Sequence, residues 1–172
     1  AGTTNALRTM GWKAGVITLL GDCLKCVFAV LVVRLIFGGA HGDIMPVLSQ
    51  YAGLGAILGH NYPFYMKFKG GKGIAVTAGI IITTWKICLA VFLISVAATK
   101  YVSVGSLVVV VTYFICVVVY GQMGGFHVDG SHLTEMYVLA ALVVVSAFYK
   151  HKANIGRLMN GTENKLSVGR SK

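Results

Sequence analysis

Negative charge is scarce in this chain. Asp and Glu together number 5 of 172 residues, against 15 Lys and Arg, and charged residues of either sign make up only 12%. Hydrophobic residues are 56% and mean hydropathy is +0.78, which sets the chain apart from ordinary soluble domains. Nor is there a nucleotide loop of the form G-x-x-x-x-G-K-[ST]: Lys72 is followed by Gly73 and the spacing is wrong, so an ATPase has no support. The four cysteines, Cys23, Cys26, Cys88 and Cys116, all lie in apolar runs. Cys23 and Cys26 form a C-x-x-C without a second such pair or a histidine pair, and read as small core residues rather than a metal or redox centre. No cleavable signal pattern, internal repeat or low-complexity linker is evident, and residues 1–172 read as one domain.

The net charge is +10 and the isoelectric point about 9.6. In a soluble protein this excess would suggest nucleic acid. Here the cations sit in loops and tails between apolar runs, where membrane topology explains them and no nucleic-acid partner is expected. The runs cover about residues 14–37, 44–59, 74–99, 102–120 and 133–149. The 60–73 loop and the 150–172 tail are strongly basic, which puts both in the cytosol. Segments 38–43 and 121–132 contain no Lys or Arg and belong outside. Parity then requires an odd number of crossings between the 60–73 loop and segment 121–132. Run 74–99 must therefore be two short helices hinged at Thr83-Thr84-Trp85-Lys86; as one helix it would span about 39 Å, against a core of about 30 Å. The expected fold is an all-α, polytopic transmembrane bundle of about six membrane helices.

Three polar clusters interrupt this apolar plan. Residues 59–73 carry Lys69-Gly70-Gly71-Lys72-Gly73 immediately before a helix predicted to start near Ile74. Glycines let backbone N–H groups converge into a nest, ammonium groups supply counter-charge, and a helix N-terminus favours an anion. The loop thus points to phosphate binding at the membrane surface, with its aromatics Tyr62, Phe64, Tyr65 and Phe68 at the interface. The tail that follows the last run carries His151, Asn154 and Arg157 at i, i+3, i+6, so a continuing helix would put the first two on neighbouring faces. At the other end, Thr4, Asn5 and Arg8 precede a span and fit capping plus one stop charge. Asp22 and Lys25, three apart within the first run, share a helix face and can pair; such a pair is either functional or merely neutralising.

Taken in order, G-T-T-N-x-x-R (Gly2 to Arg8), G-H-x-x-P-x-x-x-x-F-K-G-G-K-G (Gly59 to Gly73) and H-x-x-N-I-x-R-L-x-x-x-x-E (His151 to Glu163) resemble the bacterial PlsY family over essentially the whole chain. Its members are membrane glycerol-3-phosphate acyltransferases with seven membrane helices, three cytosolic motifs and acyl phosphate as donor. The resemblance implies transfer of a fatty acyl group to the 1-hydroxyl of glycerol 3-phosphate, yielding lysophosphatidic acid and phosphate without a cofactor. By the same resemblance, Arg8, Lys72, His151 and Asn154 act on the glycerol phosphate or the reacting group. Thr4, Asn5, His60, Lys69, Gly70, Gly71 and Gly73 complete substrate binding, and the acyl chain lies between helices against membrane lipid. His151 has a suitable pKa for a base, although a substrate phosphate oxygen could take the proton instead. Lys150 stands where an arginine is common, and Thr3 where an alanine is.

Family members carry a first helix followed by Ser-Gly-Asn-x-Gly, of which only Ala1-Gly2 stand here. The first helix and the motif serine are therefore expected to be absent, leaving an inactive fragment as one alternative. The H-x-x-x-x-D pair of soluble-type glycerolipid acyltransferases is missing: Tyr65, His132 and Pro46 stand five residues after His60, His127 and His41. A transporter of phosphate or an organic anion is the remaining alternative. It needs midplane groups and repeat symmetry, whereas the polar clusters here lie at one face apart from Asp22 and Lys25.

Overall fold

The computed structural model of the chain describes residues 2–84 and 86–166. Among them are eight α-helices and no strand: α1 (Thr3–Met10), α2 (Trp12–Phe37), α3 (Met45–Asn61), α4 (Ile74–Thr84), α5 (Lys86–Thr99), α6 (Val102–Gln122), α7 (Gly130–Lys150) and α8 (Lys152–Met159). By length and composition α2, α6 and α7 can each cross a membrane. Helix α3 has 17 residues and carries Pro46 in its first turn, where a missing N–H does no harm.

Polarity is inverted on α2. Its buried residues are Gly15, Asp22 and Cys26, while Phe28 and Leu35 are 68% and 85% exposed. A helix that hides its carboxylate and displays its leucines has hydrocarbon for solvent. The core lies between α6 and α7, where Val110, Tyr113 and Val117 meet Met136, Ala140 and Val143, with Ile57 of α3 and Val76 of α4 added. Helix α2 packs on α3 and α4, α5 on α6, and α3 on α7.

Polar ties mark the two faces of the bundle. At one face, Lys72 reaches Asn154, Ser103 reaches Glu163, and Leu166 N bonds Lys100 O. At the other, Arg34 Nε meets Ser49 Oγ, Tyr51 donates to Glu135, and Gln122 donates to Tyr137. The segment from Ile74 to Thr99 thus leaves the basic face and returns to it, which one straight helix cannot do. Two short helices form, as the crossing count requires. Of the expected hinge, Trp85 lies outside the described residues.

Two local expectations are corrected. Residues 3–10 do not merely cap a span: they form α1, which folds back on α2 through a turn at Gly11. The last span does not continue as a helix through Arg157. It stops at His151 (φ −97°, ψ 4°), and α8 begins after it with Ile155 N bonded to His151 O.

The face assignment predicts labelling by an impermeant thiol reagent in a version freed of native cysteines. Gly42→Cys and Gly130→Cys react in intact cells, whereas Lys69→Cys and Lys165→Cys react only after the membrane is opened. External labelling of Lys165→Cys would contradict the reversal between α4 and α5.

Candidate active site

At the basic face a cavity of about 820 Å³ opens between α1, the 70–73 segment, α6 and the 151–166 segment. Its mouth is charged and its floor, between α2, α4, α5 and α6, is apolar, with Leu20, Ile81, Phe92 and Val109. Thr4, Asn5 and Arg8 reach it from α1; His60, Gly70, Gly71, Lys72 and Gly73 from the glycine segment; His151 and Asn154 from the break after α7. Lys69 does not line it and is exposed.

The glycines play a different part from the N–H nest expected of them. Gly70 N donates to Asn61 O and Gly71 N to His60 O, both at 3.2 Å, so these donors are already used on the end of α3. What the positions require is contact: a Cβ on Gly70 would stand 2.1 Å from His60 O, and one on Gly71 2.1 Å from His60 Nε2. Gly73 adopts φ +77°, which disfavours any side chain. The free donors are one step further on. Helix α4 closes its first bond from Thr77 N to Gly73 O, leaving the preceding N–H groups without intrahelical acceptors.

Glu163 organises the cations. Its Oε1 accepts from Asn154 Nδ2 at 2.7 Å and from Ser103 Oγ at 3.1 Å, and its Oε2 accepts from Arg157 Nε at 2.8 Å. Asn154 Oδ1 in turn accepts from Lys72 Nζ at 2.5 Å. The amide therefore has one possible orientation, oxygen to the ammonium and nitrogen to the carboxylate. Burial alone would raise the Glu163 carboxyl, but the bonds from Asn154, Arg157 and Ser103 outweigh it and hold it below its ordinary value. Burial lowers the Lys72 ammonium, Glu163 pulls it back up, and Arg157 and Arg8 push it down again. Arg8, Lys72 and Arg157 line the cavity with two carboxylates, Glu163 and Asp22; Asp22 is already paired with Lys25, so the mouth favours anions.

His151 is 2% exposed, and its Nδ1 lies 2.7 Å from Ala147 O. A carbonyl only accepts, so Nδ1 carries the proton and Nε2 of the neutral ring is left as an acceptor. Burial lowers its pKa, the Ala147 carbonyl acts in the opposite sense, Lys72 lowers it further and Glu163 raises it. The net direction is downward, toward a neutral imidazole at physiological pH.

Sequence reasoning passed over several residues of this site. Glu163 was visible as the last letter of the third motif but had no role. Ser103 and Thr3 carried no signal: one is a serine at the start of an apolar helix, the other a threonine beside better candidates. Thr3 lines the cavity, and its buried hydroxyl has no partner among the described residues. Arg8 Nη2 also reaches Asn164 O at 3.4 Å, closing α1 onto the tail.

A family model described as Glycerol-3-phosphate acyltransferase matches residues 1–161. The glycerol-3-phosphate acyltransferase of Clostridioides difficile is 39% identical over 171 residues, covering 96% of this chain and 78% of its own length. That of Chlorobaculum tepidum is 34% identical over 191 residues, covering 99% and 82%. Among solved structures, PlsY, an integral membrane glycerol 3-phosphate acyltransferase, matches in its glycerol 3-phosphate form. The TM-score is 0.81 and the identity 28%, over 97% of this chain and 78% of that one. Its lysophosphatidic acid form gives a TM-score of 0.80 over 97% and 80%. A family match over almost the whole sequence, joined to the same helical fold, leaves one conclusion: the chain belongs to the glycerol-3-phosphate acyltransferase family of integral membrane proteins.

Proposed function

We propose that the cavity at the basic face is where the chain, as one membrane domain, transfers a fatty acyl group from acyl phosphate to the 1-hydroxyl of glycerol 3-phosphate. The observation that carries this reading is a cationic mouth set directly on an apolar floor, a shape that suits two phosphate-bearing substrates of which one has a long chain. Positive-inside topology puts that mouth on the cytosolic side of the plasma membrane. The acyl chain enters the floor between helices, against Leu20, Ile81 and Phe92, and the phosphates meet Arg8, Lys72 and the N-terminus of α4.

Acyl phosphate is a mixed anhydride, already activated, so no covalent enzyme intermediate is needed. The glycerol hydroxyl attacks the acyl carbon, the new ester C–O bond forms, and the bond from that carbon to the phosphate oxygen breaks. Inorganic phosphate leaves with the bonding pair, and lysophosphatidic acid remains. His151 Nε2 takes the hydroxyl proton; its lowered pKa and its Nδ1–H bond to Ala147 support this role. Lys72, held by Asn154 and Glu163, offsets the charge that develops on the acyl oxygen and the leaving phosphate. Thr4, Asn5, His60 and the glycines 70, 71 and 73 shape the walls. Lys69, being outside the cavity, acts at most as a distant surface charge. A transporter would need its cations at midplane, whereas Arg8, Lys72 and Arg157 gather at one face.

Steady-state kinetics of the native protein in proteoliposomes test this assignment. Lys72→Ala raises KM for glycerol 3-phosphate and lowers kcat, because a partly desolvated ammonium–phosphate contact is worth about 1.5–3 kcal/mol. His151→Ala lowers kcat about a hundredfold or more. The acid limb of wild-type kcat lies below the ordinary imidazole value of 6.5, because burial lowers His151, and activity falls as pH drops through that lowered value. Near-normal kinetics for both variants, with folding intact, would refute the assignment.

Glu163 generates a separate stability prediction. Glu163→Ala leaves Asn154 and Ser103 without an acceptor and costs about 2–3 kcal/mol, part of the Arg157 contribution being screened by solvent. Because the folded carboxyl is depressed, its stabilisation is full at neutral pH and is lost only as pH falls through that depressed value. Thermal unfolding against pH therefore shows a lower Tm for Glu163→Ala at neutral pH and a smaller difference in acid. An unchanged Tm at neutral pH would contradict the role given to Glu163.

A further inference from the structure

Asp22 and Lys25 stand inside the first span, yet at the level of the glycine segment, because neighbouring Cys23 Sγ donates to Ala75 O at 3.0 Å. Asp22 is 6% exposed, and its Oδ1 accepts from Lys25 Nζ at 2.7 Å. A pair that only neutralised itself would be complete at this point. This one has a third member: His60 Nδ1 lies 3.4 Å from Lys25 Nζ and 3.4 Å from Asp22 Oδ1. The ion pair therefore holds one edge of the imidazole in either tautomer, Nδ1–H facing the Asp22 carboxylate or a bare Nδ1 facing the Lys25 ammonium.

The opposite edge of that ring supports the glycine segment. Nε2 occupies the space beneath Gly71, where a Cβ would stand 2.1 Å away, while Gly71 N bonds to the backbone carbonyl of the same histidine. Gly71 leads directly into Lys72, whose ammonium must meet Asn154 at 2.5 Å. His60, Gly70 and Gly71 line both the main cavity and a second one of about 460 Å³ that contains Lys25. The His60 side chain is 11% exposed and packs under Gly71, and its polar contact on the far edge is with the ion pair. We infer that Asp22 and Lys25 are positioning residues for Lys72, acting through His60 and the backbone of Gly71. The kinetic part of this inference rests on the function proposed above; the structural part does not.

A double-mutant cycle on the native protein tests it with two readouts. The first is amide hydrogen exchange in the segment spanning Gly70 to Gly73, which needs no activity. Asp22→Asn and His60→Ala each accelerate it about tenfold, and the double variant is no faster than His60→Ala. The second is kcat/KM for glycerol 3-phosphate. Asp22→Asn lowers it about tenfold in the wild-type background and less than about twofold in the His60→Ala background, while Asp22→Glu, which keeps the charge, recovers part of the loss. Unchanged exchange in Asp22→Asn, or losses that multiply in the double variant, would overturn the inference. If Asp22→Asn does not fold, Lys25→Met reads the same cycle from the other half of the pair, with the same outcomes deciding. A segment that is protected in the wild type and loosened in the variants as described, in a protein without acyltransferase activity, would support the clamp and refute the proposed function alone.

Discussion

Glu163 accepts three hydrogen bonds in the one cavity of the basic face that must attract anions, and the positions of the cations follow from it. Without a carboxylate among them, Arg8, Lys72 and Arg157 would repel one another and turn outward to water. With Glu163 fully occupied by Ser103, Asn154 and Arg157, its charge orders the site and little of it is left to repel a substrate phosphate. The same bonds bring together α6, α8 and the tail, while Lys72–Asn154 joins them to the glycine segment that leads into α4. Lipid offers no hydrophobic driving force between helices, so contacts of this kind carry more of the assembly than they would in a soluble protein.

The membrane sets the shape around this network. Helix α2 faces hydrocarbon with leucine and phenylalanine and hides Asp22, so its one acidic side chain points toward the glycine segment. Helices α4 and α5 are too short to cross alone, and because α4 leaves the basic face and α5 returns to it they enclose apolar space directly beneath the cations. The site therefore couples a polar mouth to a hydrocarbon floor without breaking any long helix at midplane. The glycine segment closes the arrangement by lying against the end of α3, where only residues lacking a Cβ fit next to His60.

Much of this was legible before any coordinates. The long apolar runs and the basic loops specify a helical bundle and its orientation, and the parity of crossings alone requires two helices within 74–99. The three motifs mark the walls of the cavity because their residue types are out of place in an apolar chain. What stayed hidden depends on tertiary contact. Gly70 and Gly71 suit a nest equally well in sequence; only the approach of His60 shows that their N–H groups are taken. Helix α1 has too few apolar residues to announce itself, and it forms because α2 is there to pack on. The helix break at His151 likewise lacks a proline or glycine at that position. Ser103 becomes part of the site only because the tail brings Glu163 to it.

The most direct measurement of the central claim follows both products at once in proteoliposomes containing the native protein, acyl phosphate and glycerol 3-phosphate. If the cavity holds both substrates together, inorganic phosphate and lysophosphatidic acid appear at equal rates, and phosphate release stops when glycerol 3-phosphate is withheld. Phosphate release that continues without glycerol 3-phosphate, or that proceeds without matching lysophosphatidic acid, would contradict the account.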